Sequence, residues 1–230
     1  MGLWKRWIWG YGGTVLCMLG LVLWADQTVT TMAWEESRHC IVVDAGHGGE
    51  DGGASSCTGK LESEYNLEIS LRLAQVFHLL GYDTKMIRTT DTSVYTKGET
   101  LAQKKVSDLK ERVRIVNSMP NSVLVSIHQN TFSDARYSGA QVFYGAGQGS
   151  EALAKQLQEN LVKTLNPGSN RACKPAQGIY LMEHAERPGV LVECGFLSNA
   201  QEEAQLSDPE YQKKLSAVIA LTIAGYLSNT

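Results

Sequence analysis

Two histidines and a handful of glutamates in this 230-residue chain are spaced and embedded as metal-assisted hydrolysis would need them. His47 sits in Asp44-Ala45-Gly46-His47-Gly48-Gly49 and His128 in Val125-Ser126-Ile127-His128-Gln129-Asn130. Between them the stretch opening Glu62-Ser63-Glu64-Tyr65-Asn66-Leu67 supplies the carboxylates Glu62, Glu64 and Glu68. A hydrolytic zinc ion takes three protein ligands from imidazole and carboxylate and leaves a fourth position to water or substrate. Two imidazoles and one of these carboxylates make such a set. Gly46, Gly48 and Gly49 keep side chains away from His47, so a metal and a substrate can approach the backbone there. A further carboxylate, Glu193, ends the apolar run Val190-Leu191-Val192 and precedes Cys194-Gly195-Phe196-Leu197-Ser198-Asn199. At the end of a buried strand beside a metal, a carboxylate can take a proton from attacking water and return it to a departing amine.

Groups so far apart in sequence need a framework that gathers them. Runs rich in branched residues recur at 40–44, 84–88, 122–128, 140–144, 179–181 and 190–193, several of them continuously apolar, as suits strands covered on both faces. Helical patterns alternate with them. Leu67, Leu71, Ala74 and then Phe77 or His78 keep a 3.6-residue period that Gly81 stops, and Leu109, Val113 and Val116 do so ahead of Pro120. Helices are also expected over 150–165 and 209–227. The alternation predicts a three-layer α/β/α domain with a mostly parallel, roughly six-stranded twisted sheet. Both histidines then emerge at carboxyl ends of strands, where open sheets of this kind place their sites. Two long loops remain, 89–107 with Lys97, Lys104 and Lys105, and 166–177 with Arg171 and Lys174; loops of this length are often functional. Asp44, three residues before His47, is expected to hold the loop by a hydrogen bond. His39 and His78 read as structural, and His184 as a surface or substrate-rim residue.

The chain has 43% hydrophobic residues and room for one globular domain, and its net charge of -3 offers no basic face for nucleic acid. Its amino terminus differs from the rest: after Lys5 and Arg6, residues 7–25 carry no charge. That run is long enough to cross a bilayer, the flanking cations put its start in the cytoplasm, and Trp4, Trp7, Trp9 and Trp24 suit the two interfaces. A cleaved signal peptide fits the same pattern, although Leu23-Trp24-Ala25 is too bulky for a good cleavage site and Thr31-Met32-Ala33 lies far from the apolar run. A retained anchor is the preferred reading. Residues 1–33 are thus expected to form an anchor or signal segment with a short linker, and 34–230 the catalytic domain outside the cytoplasmic membrane. Cys17 belongs to the apolar segment; Cys40 and Cys194 lie in strand-like runs and suit small buried positions. Cys57 and Cys173 remain as a possible disulfide.

Together the four phrases resemble those of the zinc-dependent N-acetylmuramoyl-L-alanine amidases, which cut the amide between the lactyl group of muramic acid and the peptide stem of peptidoglycan; the resemblance covers roughly residues 39–228. It implies Zn2+ as cofactor and selects Glu62, the glutamate that opens the phrase ending in Asn66-Leu67, as third ligand beside His47 and His128. Glu64 and Glu68 are then solvated charges on the following helix. It also implies Glu193 as the catalytic proton carrier. Arg88, Asp91 and Arg112 match family positions and read as internal ion pairs. Arg171 and Lys174, by charge and loop position, are candidates to meet carboxylates of the stem, with Asn130 as a further substrate-binding candidate. Short relatives with an amino-terminal anchor resemble the amidases that prepare spore cortex for muramic lactam formation. Without repeats or a Pro-rich linker after the last predicted helix, localisation is expected to come from the amino terminus or from an accessory or activating protein.

Three other readings use the same residues. His47-Gly48-Gly49-Glu50 matches the His-x-x-Glu pair of zinc carboxypeptidases, but leaves the Glu62 phrase unexplained. A thiol hydrolase would use Cys57 or Cys194 and needs that thiol exposed and its pKa lowered. A non-catalytic wall-binding protein would have lost a ligand, and all are present.

Overall fold

A computed structural model of the chain describes residues 39–229. The expected membrane segment lies outside them, and among the described residues no helix is long and apolar enough to cross a membrane. In chain order the elements are β1 (Cys40–Ala45), α1 (Glu62–Leu79), β2 (Asp83–Met86), α2 (Leu101–Asn117), β3 (Ser122–Asn130), β4 (Gln141–Tyr144), α3 (Ser150–Leu165), β5 (Lys174–Pro175), α4 (Tyr180–His184), β6 (Gly189–Phe196), α5 (Ala200–Ser207) and α6 (Pro209–Leu227). The strands form one sheet in the order β2-β1-β3-β6-β4-β5. β1 runs parallel to β2 and β3, β3 parallel to β6 and β5 parallel to β4, whereas β4 lies antiparallel to β6.

Successive side chains of a strand point to opposite faces, and the central strands divide their apolar residues accordingly. Ile41 and Val43 of β1, Val123, Val125 and Ile127 of β3, and Val190 and Val192 of β6 pack into one core with Tyr65, Ile69, Leu73 and Phe77 of α1, Leu153 and Leu157 of α3, and Leu215, Ile219 and Ile223 of α6. The intervening Val42, Leu124 and Leu191 pack into a second core with Val116 of α2 and Leu181 and Met182 of α4. Burial on both faces is why these strands read as unbroken apolar runs. The architecture is the three-layer α/β/α arrangement with a mostly parallel six-stranded sheet.

Several local expectations need correction. The apolar triplet at 179–181 is not a strand: Ile179 precedes the short helix α4, whose consecutive Leu181 and Met182 both enter the second core, whereas a strand would send them to opposite faces. The sixth strand is instead the two-residue β5, inside the segment expected to be loop. The loop from 89 is shorter than expected, because Thr100 and Gln103 form a capping box that starts α2 at Leu101 and puts Lys104 and Lys105 near the start of the helix. The buried stripe of α1 has the expected period but another phase. Leu67, Leu71 and Ala74 are only half-buried, while Glu62, Asn66, Ile69, Leu73 and Phe77 share the inward face. Cys57 and Cys173 form no disulfide: Cys57 is exposed where its N–H bonds the Leu197 carbonyl, and Cys173 packs against the larger core beside β5.

Of Arg88, Asp91 and Arg112, expected in internal ion pairs, only Arg112 forms them among the described residues, and it forms two. Asp44, at 1% exposure, accepts from the guanidinium of Arg112 and from Ser126 Oγ at 2.6 Å. Arg112 also donates to the carbonyls of Ala45 at 3.0 Å and His47 at 2.7 Å, and to Asp108 at 2.6 Å. Burial works against the charge on Arg112, and Asp44 and Asp108 outweigh it, holding the guanidinium above its ordinary range. Arg88 instead meets backbone carbonyls, those of Ala45 at 2.8 Å, Gly46 at 3.0 Å, Ser63 at 2.8 Å and Thr90 at 3.0 Å. Asp91 accepts the N–H of Gly49 at 2.9 Å. Two arginines therefore bind the carboxyl end of β1 to α1 and α2, satisfying carbonyls that the sheet leaves open.

Breaking a buried pair by removing one partner costs about 3–5 kcal/mol, since a charge is left buried without compensation. Arg112→Ala is expected to lose stability on that scale in urea denaturation, and a loss below about 1 kcal/mol would show that the pair does not anchor β1 to α2.

Candidate metal centre

The register of β1 on β3 sets Ala45 beside Ile127, so the residues that follow both strands come out together. His47 leaves β1 in a left-handed turn, with φ of 59° at His47, 132° at Gly48 and 59° at Gly49. Gly46 is required by packing: a Cβ there would lie 2.2 Å from Nε2 of the His128 ring. Gly53 is required likewise, since its Cβ would come within 2.6 Å of Glu62 Oε2. Backbone thus forms two walls of the site, at distances no side chain permits.

Glu62 opens α1 at 4% exposure. Its Oε2 accepts the N–H of Ala54 at 3.0 Å, and its Oε1 accepts the N–H of Gln129 and the Asn66 amide, each at 3.2 Å. The same carboxylate faces His47 Nε2 at 3.3 Å and His128 Nδ1 at 3.0 Å. One ligand atom from each of His47, Glu62 and His128 can be chosen so that all lie within 4.8 Å of one another. The two imidazoles meet edge to face, with centroids 5.0 Å apart.

The electrostatics of this cluster call for a positive charge. Burial opposes ionisation of Glu62, yet the hydrogen bonds and charge of His128 and His47 prevail and hold it well below the usual carboxylate range. For His47, burial disfavours the cation, but Glu62 and Asp51 together raise its pKa. An ionised carboxylate has only lone pairs to present, so each ring nitrogen facing it needs either a proton or a shared cation between them. Two nitrogens and one oxygen are also the donor set of catalytic zinc with three protein ligands. The residues therefore fit a metal ion.

Glu193 stands next to this cluster, in register with His128 across the parallel pair β3 and β6. The residue is half-buried, but its Oε2 is shielded from solvent and has no hydrogen-bond partner among the described residues. Burial pushes its pKa up to about 7, with the charge of Glu62 adding to the rise and His128 and His47 opposing it. A shielded, unpaired carboxyl oxygen is costly in a folded chain, which makes Glu193 a candidate for a reacting position.

The other candidates lie apart from the cluster. Asn130 ends β3 just past a register shift, its carbonyl accepting from Leu197 at 2.8 Å. Arg171 donates to the Ser138 carbonyl at 2.9 Å and to Gln141 at 3.2 Å, with its guanidinium 5.0 Å from the centre of the Phe196 ring, so it already pins the loop before β4. Lys174 is exposed on β5. Glu50 pairs with Lys104 at 2.7 Å, outside the cluster that the carboxypeptidase-like reading would have it join. Glu64 caps the start of α1 through Leu61 N–H, and Glu68 pairs with Lys60 at 2.7 Å and accepts from Gln212 at 3.0 Å. His184 stacks on Tyr180, and His78 is exposed at the end of α1. Cys194 is buried and its thiol is pushed up by that burial, the reverse of what a thiol nucleophile needs. Residues not singled out from the sequence also reach the site: Asn66 through Glu62, Gln129 through Asn66 at 3.2 Å, and Asp51, whose Oδ2 lies 2.9 Å from His47 Nδ1. For Asn66 the signal was its i+4 spacing from Glu62 on a helix.

Comparison with known proteins agrees with this geometry. Residues 41–225 match the family described as N-acetylmuramoyl-L-alanine amidase. The germination-specific N-acetylmuramoyl-L-alanine amidase of Bacillus subtilis (strain 168) is 37% identical over 195 residues, which are 84% of this chain and 81% of the relative. Among solved structures, the CwlD amidase of Clostridioides difficile in complex with the GerS lipoprotein aligns with a TM-score of 0.80 at 38% identity, over 84% of this chain and 100% of that one. An N-acetylmuramoyl-L-alanine amidase of Clostridium difficile 630 aligns with a TM-score of 0.74 at 28% identity, over 84% and 98%. With the family match running from β1 into the last helix, this chain belongs to the N-acetylmuramoyl-L-alanine amidases.

Proposed function

We propose that this amidase acts on peptidoglycan with a zinc ion held by His47, Glu62 and His128, and with Glu193 as the residue that moves the proton. The observation that carries the reading is the convergence of two imidazoles and a buried carboxylate within 4.8 Å, beside a carboxyl whose shielded oxygen has no partner among the described residues. When bound, zinc supplies Lewis-acid polarisation of the lactyl carbonyl and brings the pKa of water towards neutrality. Glu193 accepts a proton from the attacking water and delivers it to the alanine nitrogen as the amide breaks, giving peptide-free muramic acid and a stem with a free amine. A carboxyl that burial shifts above the ordinary carboxylate range is suited to both transfers. Ala54, Asn66 and Gln129 keep the Glu62 carboxylate in place through the cycle. Asn130, Arg171 and Lys174 are proposed to contact substrate, the two cations through stem carboxylates.

The biological setting is proposed from the relatives. The similarity to a germination-specific amidase supports a role in spore cortex, where removal of the stem precedes muramic lactam formation. The structural relative solved with a lipoprotein supports an accessory partner for this chain as well. Peptidoglycan lies outside the cytoplasmic membrane, and the uncharged run at 7–25 supports anchoring of a catalytic domain, 34–230, on that side by the segment 1–33.

The ligand set predicts that His47→Ala, Glu62→Ala and His128→Ala each lose bound zinc by elemental analysis while Glu50→Ala keeps it; the opposite pattern for Glu50 and Glu62 would establish the carboxypeptidase-like set. Glu193→Gln is expected to fold and retain zinc but to lose at least about a hundredfold in turnover on purified peptidoglycan, the scale of a missing general base. Near-normal turnover, or release of single carboxy-terminal amino acids by mass spectrometry, would refute the proton role or the substrate respectively. Cell fractionation should find the full chain in membranes and a chain beginning near Trp34 in the soluble fraction; mature protein starting after Ala25 or Ala33 would show cleavage instead.

A further inference from the structure

Asp51 reaches His47 by a route that a loop of ordinary conformation would not take. Gly48 N–H donates to the Asp51 carbonyl at 2.8 Å and Asp51 N–H to the Gly48 carbonyl at 3.3 Å, closing a tight turn over Gly49 and Glu50. His47, just before the turn, has a left-handed φ, a conformation uncommon outside glycine that its surroundings have to hold. Those surroundings are present. Arg112 donates to the His47 carbonyl at 2.7 Å, Ser93 Oγ to the Gly48 carbonyl at 2.6 Å, and Gly49 N–H to Asp91 at 2.9 Å. The outcome of this clamped geometry is that the carboxylate of Asp51 returns to the ring four residues before it, with Oδ2 at 2.9 Å from Nδ1.

We propose that Asp51 is a positioning residue for the metal, holding His47 as the Nδ1–H tautomer with Nε2 turned into the cluster. An aspartate carboxylate is acceptor-only, so the ring nitrogen facing it carries the hydrogen, and in the neutral imidazole the lone pair then belongs to Nε2. Nε2 is the nitrogen that faces Glu62, at 3.3 Å. Lys105, near the start of α2, lies 3.2 Å from Oδ2 and 3.3 Å from Oδ1 of Asp51 and steadies the carboxylate. Glu50, the neighbouring carboxylate, points instead to Lys104 and serves as an internal control. This inference rests on the reading of His47 as a ligand and adds the group that makes its imidazole a directed one. Loss of such an outer partner weakens metal binding by about 10- to 100-fold.

The test is zinc affinity of the purified full chain, measured by competition with a chelating indicator, together with 15N NMR of the His47 ring in zinc-loaded wild type. Asp51→Ala is expected to weaken zinc binding by about 10- to 100-fold, Asp51→Asn, which keeps an acceptor oxygen, to recover most of it, and Glu50→Ala to stay within about twofold. The NMR spectrum should show a proton on Nδ1 and the metal on Nε2. Wild-type affinity in Asp51→Ala, with zinc lost from His47→Ala, would overturn the inference and leave the ligand set standing, whereas zinc retained in His47→Ala would overturn the ligand reading itself. If Asp51→Ala does not fold, the wild-type spectrum still decides: a proton on Nε2 with the metal on Nδ1 refutes the proposal.

Discussion

Parallel pairing of β1, β3 and β6 in one register is the constraint on which the site depends. It sets Ala45 beside Ile127 and His128 beside Glu193, so two imidazoles and a carboxyl from three distant segments issue at one end of the sheet. Hydrogen-bonded strands lie about 4.8 Å apart, a spacing that puts neighbouring side chains within reach of one small ion. The register is in turn held by burial on both faces, because a slip of one residue would exchange the sets packed against α1, α3 and α6 for those packed against α2 and α4.

Charge is then distributed unequally over this end of the sheet. Asp44 is buried but satisfied by Arg112 and Ser126, and it serves architecture. Glu62 is buried and satisfied by two backbone N–H groups, an amide and two imidazoles, an arrangement that keeps it ionised and oriented. Glu193 alone among these carboxylates keeps a shielded oxygen with no partner among the described residues. The contrast is one of solvation: Asp44 and Glu62 are met by donors, whereas Glu193 keeps an oxygen that none of the described residues satisfies.

The same end of β1 shows how rigidity is supplied to a glycine-rich loop. Gly46, Gly48 and Gly53 allow backbone, rings and carboxylate to pack at distances that a Cβ would forbid, yet glycine by itself leaves a chain loose. Arg88 and Arg112 offset this by bonding the carbonyls of Ala45, Gly46 and His47 from two directions. The candidate metal centre is thereby tied to the most buried part of the sheet.

What the sequence by itself determined is the set of features that depend on local pattern: the three central strands as unbroken apolar runs, two of the four long helices as 3.6-residue periods, the glycine turn, and imidazole and carboxylate at the ends of those elements. These follow from the periodicity of side-chain direction, which a chain carries before it folds. Only the tertiary structure decided features in which an alternative was locally equal. Residues 179–181 became the start of α4 because Leu181 and Met182 both had the same core to enter, and α1 turned its Tyr65 and Ile69 row inward because Glu62 and Asn66 had to face β1 and β3. Arg88 met carbonyls where a carboxylate partner was expected, Cys57 and Cys173 stayed apart, and Asp51 came back to His47. Each of these depends on which groups are left unsatisfied once the strands have paired, and that is a property of the assembled sheet and not of any segment in it.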